Sequence, residues 1–153
     1  MPNTKPVGVA FSDPELVSGT TITGATISGS TLTTATVSGT GTFTTLAVDV
    51  AKPAAAGSTR ADATAMTASF NWVTAADATK GVALPTGVAG LVVIVKNDDT
   101  ANAVLKVYSA NDGNSAAINA VASGTAYSMA AKTACMFVAY SATQWFSVPL
   151  VAS

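Results

Sequence analysis

Between Val17 and Gly41 the chain repeats every five residues. It reads Val17-Ser-Gly-Thr-Thr, Ile22-Thr-Gly-Ala-Thr, Ile27-Ser-Gly-Ser-Thr, Leu32-Thr-Thr-Ala-Thr and Val37-Ser-Gly-Thr-Gly. One apolar residue opens each unit, a Ser or Thr follows it, and Gly holds the third place in four of the five. An odd period constrains the fold strongly. Successive side chains of a flat strand alternate faces, so residues five apart point to opposite sides. A single row of Val17, Ile22, Ile27, Leu32 and Val37 therefore requires a bend or coil in every unit. Short periods of this kind mark β-solenoids and intertwined fibrous strands.

The row does not hold itself together. Burying one Val, Ile or Leu contributes roughly 1.5–3 kcal/mol, while ordering the backbone costs about 1–2 kcal/mol for each of five residues. Something else must cover the apolar row and pair its strand edges. The simplest partner is another copy of the same chain, and a threefold arrangement with the row along its axis satisfies every copy equally. Phe43 and Leu46, just after the repeat, extend the apolar column and close its end. The expected trimer interface is thus Val17, Ile22, Ile27, Leu32, Val37, Phe43 and Leu46.

The rest of the chain divides around this repeat. Residues 1–16 read as an extended arm, because Pro2, Pro6 and Pro14 oppose helix. The arm is either a disordered leader or a strap that lies on a partner, with Lys5, Asp13 and Glu15 as its charged contacts. Its apolar stretch is too weak for a secretory signal. Residues 17–50 carry the repeat and its exit into the alternating run Leu46, Val48, Val50. Residues 51–65, rich in Ala with Pro53 and Gly57, read as a linker with room for a short helical turn at 54–56. Residues 66–153 read as a compact domain of about eight short strands, an antiparallel β-sandwich or small barrel. Two hairpins are expected, one across 97–102 and one across 141–143.

Composition excludes several function classes. Charged residues are 10% of the 153 and hydrophobic ones 49%, against about 25% charged in an average domain. Such a neutral, β-rich surface suits extensive protein contact. Net charge is −1 and the seven Lys and Arg are scattered, which argues against nucleic acid as a partner. No apolar run approaches the roughly 18 residues of a membrane span.

Chemistry is sparse. There is no His, which removes the commonest general base and metal ligand. Asp98-Asp99 is the only adjacent acidic pair, and it reads as a solvated hairpin loop. Asp112-Gly113-Asn114 reads as a turn. Cys135 is the only cysteine and sits in an apolar run, as a buried, inert thiol. Neither an enzyme activity, a metal, a cofactor nor a small-molecule substrate is expected. Trp145 stands beside Phe146, so one of the two faces outward in a strand. Trp145 reads first as an ordinary core residue, and an outward position contacting a partner or a glycan is its alternative.

The stretch Ile22-Thr-Gly-Ala-Thr-Ile-Ser-Gly-Ser-Thr-Leu, followed by Gly41-Thr-Phe-Thr-Thr-Leu46, resembles structural proteins of tailed bacteriophages: fibres, spikes and capsid decoration proteins. Thr79-Lys-Gly-Val-Ala-Leu-Pro-Thr, Val92-Val-Ile-Val-Lys-Asn and Val104-Leu-Lys-Val-Tyr are similar to segments of small phage head proteins. The resemblance implies a homotrimer on the outer surface of the virion, with the major capsid protein as its partner. It implies a capsid decoration, or cement, protein. The alternative it leaves is a short head or tail fibre whose C-terminal domain binds a host surface glycan.

The apolar column yields a prediction. Ile27→Asp would repeat an unpaired buried carboxylate in every copy, which costs several kcal/mol each time. Light scattering is expected to show a trimer for the wild type and loss of the trimer for Ile27→Asp, with the β-sheet circular dichroism of the C-terminal domain retained. A wild-type monomer at micromolar concentration, or a fully trimeric Ile27→Asp, contradicts the column.

Overall fold

The computed structural model describes residues 47–99 and 103–150, which belong to one compact unit. The arm, the pentad repeat and the interface positions Val17, Ile22, Ile27, Leu32, Val37, Phe43 and Leu46 lie outside the described residues, as do Lys5, Asp13 and Glu15.

The protein is all-β, and no helix occurs among the described residues. Its strands are β1 (Val50–Ala51), β2 (Thr64–Ala65), β3 (Phe70–Val73), β4 (Gly81–Ala83), β5 (Val92–Asn97), β6 (Leu105–Tyr108), β7 (Ala117–Ile118), β8 (Tyr127–Met129), β9 (Ala134–Ser141) and β10 (Gln144–Leu150). Odd and even strands go to different sheets up to β9. The larger sheet has the order β1-β3-β5-β9-β10-β7, and the smaller has β2-β4-β6-β8. From β1 to β6 each circuit of the chain lays one strand in each sheet, parallel to the strand of the circuit before: β1 on β3 on β5, and β2 on β4 on β6. This winding is solenoid-like. The last strands close the body with antiparallel pairs, β5–β9, β9–β10 and β6–β8.

The core lies between the two sheets. Val73, Val93, Val95, Phe137, Ala139 and Trp145 reach into it from the larger sheet. Val82, Leu84, Leu105, Val107 and Met129 meet them from the smaller sheet and its margin. Tyr127 packs its ring edge-on to Phe137, with centroids 5.5 Å apart. Cys135 is buried in the same cluster, and burial pushes its thiol pKa up, in keeping with an inert thiol. Asn97 is the polar exception, wholly buried at the end of β5. Its amide donates to the carbonyls of Ala103, Met129 and Ala130 at 3.0, 3.3 and 3.2 Å, and its Oδ1 accepts from Asp99 N at 3.2 Å. It thus ties the end of a larger-sheet strand to the backbone beside β6 and β8.

Four expectations are corrected. First, the early strands pair in parallel instead of forming an antiparallel sandwich, because the chain crosses to the other sheet after each of them. The 97–102 hairpin is one such crossing: β5 and β6 belong to different sheets. The second hairpin forms as expected, β9 to β10 across Ala142-Thr143, with Thr143 N donating to Ser141 Oγ.

Second, residues 51–65 are not a linker. They complete the first circuit, bridging Ala54 to Thr74 and Ala56 to Gly81, with Ala55 in the core. No helical turn forms at 54–56. A small residue is required at the turn within this segment: Gly57 has φ +65° and an added Cβ there would run into the Asp62 backbone.

Third, Asp99 is not solvated. It is buried, and its Oδ2 accepts from Ala103 N at 2.8 Å. Fourth, Trp145 does not take its outward alternative. It is 0% exposed, in the centre of the core, and the outward member of the pair is Phe146.

Candidate functional site

The register of the larger sheet shows what its outer face carries. Residues paired across neighbouring strands share a face, and residues two apart along a strand do so too. Val93 and Val95 point into the core, so Val92 and Ile94 point out. Through the register, Ile94 aligns with Phe70 and Val50 on one side and with Met136 and Val148 on the other. Val92 aligns with Val138 and Phe146. Trp72 aligns with Lys96, Ala134 and Leu150. Tyr140 continues the face along β9, its ring edge-on to Phe146 with centroids 6.0 Å apart.

The outer face is therefore almost wholly apolar. Tyr140 is 72% exposed, Val50 67%, Phe146 48% and Trp72 40%, and Val92, Val148 and Leu150 are also exposed. These seven side chains present on the order of 700 Å², against the roughly 300–600 Å² of the largest apolar patch on an ordinary monomer. Charge is confined to one end. Lys96 lies opposite Trp72 and donates to the carbonyl of Lys132, and Lys132 stands 4.0 Å from Asp98 at the end of β5.

The smaller sheet's outer face differs. It carries Lys106, whose Nζ lies 3.4 Å from Ser128 Oγ, and Tyr108, whose hydroxyl donates to the Ser58 carbonyl at 2.7 Å. The first circuit of the chain covers this side. Burial and the nearby Asp62 charge raise the Tyr108 pKa. Asp62 itself accepts from Thr59 N at 2.6 Å and Thr59 Oγ1 at 2.7 Å, and the Thr59 hydroxyl bond holds its carboxyl below the usual range.

Two clefts accompany these faces, each of about 330 Å³. One is lined by Arg60, Leu84, Pro85, Asn111 and Asp112. Its cation is already engaged: Arg60 donates to the carbonyls of Ala110 and Asn114 and stands 3.5 Å from Asp112. Asp112 also accepts from Asn114 N, making the expected turn. The other cleft is lined by Tyr127, Met129, Thr133, Cys135, Pro149 and Leu150, with no charged side chain. The remaining carboxylates have structural work as well. Asp77 accepts from Thr79 and Lys80 and pairs with Lys80 at 3.0 Å, and the Thr79 hydroxyl above all lowers its pKa. Among the described residues no group of three or more His, Cys, Asp or Glu is arranged to hold a metal ion. Among the described residues there is no helix long and apolar enough to cross a membrane.

Of the candidate interface and contact residues named from sequence, only Trp145 falls within the described residues, and it belongs to the core. The residues that form the outer face, Phe70, Trp72, Val92, Ile94, Met136, Val138, Tyr140, Phe146 and Val148, were not singled out together. The available signal was that β5, β9 and β10 are apolar at both odd and even positions, which marks a strand with two apolar faces. Comparison with family models, with curated proteins and with solved structures gives no match.

The contrast between adjacent aromatics is testable. Trp145→Ala removes a fully buried ring and is expected to cost about 3–5 kcal/mol. Phe146→Ala is expected to cost less than about 1 kcal/mol in dilute protein. Urea unfolding of the two variants measures this, and equal costs contradict the assignment of inner and outer faces.

Proposed function

We propose that the protein is a structural component of a tailed-bacteriophage virion, a decoration protein that stabilises the capsid as a homotrimer. The observation that carries this reading is the exposed apolar face of the larger sheet, on a body in which Arg60, Asp77, Lys80 and Asp99 are tied into structural bonds. A face of this size favours lasting contact with protein, and the pentad row upstream calls for copies of the chain. The phage resemblance of the repeat supplies the setting.

The mechanism is mechanical. Trimers sit where capsid subunits meet and bury surface across the junctions, adding association free energy to a shell under internal pressure from packed DNA. The residues 1–16 arm, with Lys5, Asp13 and Glu15, is the segment that contacts the major capsid protein. Extended main chain adds hydrogen bonds at a sheet edge, and three arms on one trimer act together. The alternative, a short head or tail fibre whose C-terminal domain binds a host surface glycan, loses Trp145 as a contact, since that ring lies in the core.

Deletion of residues 2–14 tests this. The truncated protein is expected to remain a trimer and to lose binding to emptied phage heads, while the full chain binds them in many copies per head. Undiminished binding moves the capsid contact off the arm. A full chain that fails to bind heads, is scarce in virions and binds host cells contradicts decoration and supports the fibre.

A further inference from the structure

We infer that the outer face of the six-stranded sheet is the surface through which copies of this chain pack against one another, so that the described domain is part of the oligomer's core and not a monomeric ornament on it. The inference rests on the homotrimer reading and names the surface that reading leaves unassigned.

Three observations point to a second copy as the occupant. The first is area. The exposed side chains of the face offer on the order of 700 Å², close to the roughly 800 Å² per partner of a standard stable interface. The second is chemistry. Val50, Phe70, Val92, Ile94, Met136, Val138, Phe146 and Val148 leave the centre of the face without a formal charge, and Lys96, Lys132 and Asp98 stand only at one end. That is an apolar centre with a polar margin, the layout of a stable interface. A copy of the same face matches it, since it brings no charge to desolvate. The third is the chain path. Val50 lies on the outer row of the face, 13 residues after Val37, the last apolar position of the pentad row. Association along that row raises the local concentration of the copies of this face, which strengthens even modest pairing between them.

The width of the face fits three copies. The apolar rows run across β1, β3, β5, β9 and β10, neighbours in that order, with β7 beyond them at the start of β10, and four gaps of about 4.8 Å make this apolar part of the face about 19 Å across. Three such faces set as the sides of a triangle lie about 5.5 Å from its axis. That is half of the roughly 10 Å at which packed sheets stand apart. A single layer of side chains from each copy would then fill the prism, with Ile94 and Met136 in the middle of each wall.

Two probes in the full chain test the inference. Trp72 lies on the face and Trp145 in the core, so acrylamide quenching of the exposed fraction reports Trp72 alone. The native Cys135 is buried, so Val148→Cys places a unique accessible thiol on the face, and Ser128→Cys places one on the smaller sheet as a control. The expected result is a trimer by light scattering in which Val148→Cys is cross-linked between copies by a short bis-maleimide and Ser128→Cys is not. Trp72 should be quenched several-fold less in the wild type than in Phe146→Glu, with Trp145 emission unchanged as the sign of an intact core. A trimer whose Trp72 is freely quenched and whose Val148→Cys stays uncross-linked overturns the inference and leaves the trimer standing. A monomer overturns both. Protection of Trp72 that arises only when emptied heads are added makes the capsid the occupant and also overturns it.

Discussion

The structure depends on the hydrogen-bonded stacking of successive circuits, with one strand of each circuit in each of two facing sheets. Parallel pairing of β1, β3 and β5, and of β2, β4 and β6, fixes the register of six strands. Register fixes which side of every strand is inside. Once Val93 and Val95 face the core, Ile94 cannot. The apolar outer face follows from the same ladder that builds the core, since β5, β9 and β10 are apolar on both sides. Burial of such a strand on both faces is the usual outcome in sheets with two covered sides. Here one cover is the smaller sheet, and the other face is exposed among the described residues.

The polar groups are distributed in keeping with this. Asn97 and Asp99 staple the crossing between β5 and β6 from within. Arg60 fastens the first circuit to the carbonyls of Ala110 and Asn114. Each of these bonds satisfies a group whose burial would otherwise cost stability. The result is a body in which Arg60, Asp77, Lys80, Asp99 and Asp112 all have bonded partners. That property supports the proposed structural role more directly than any single residue does.

Part of this was legible in the sequence. The β9–β10 hairpin was, because two alternating runs flank a short polar turn at Ser141 to Thr143. The all-β class was as well. The partner of each strand was not. Alternation in Val92 to Asn97 announces a strand but leaves open whether the next strand pairs with it or crosses to the other sheet. The 51–65 segment reads as a linker because Ala and Gly are also what a tightly stacked turn requires. The Phe70-Asn-Trp72 run shows the limit most clearly: Asn71 faces inward and both aromatics face out, the reverse of what hydrophobicity alone dictates. Neighbouring strands set that orientation, and their identity is a long-range fact. The outer face was hidden for the same reason, since it is assembled from strands up to about 100 residues apart in the chain.

Hydroxyl-radical footprinting of the assembled full chain tests the central claim most directly. Met136, Trp72, Tyr140 and Phe146 share the outer face, and Met129 and Trp145 are buried references in the core. The account predicts that the four outer residues are protected together in the oligomer and become reactive together on dilution, with the core references unreactive throughout. Oxidation of Tyr140, Phe146 and Trp72 in the oligomer at the rate of free surface residues would contradict it.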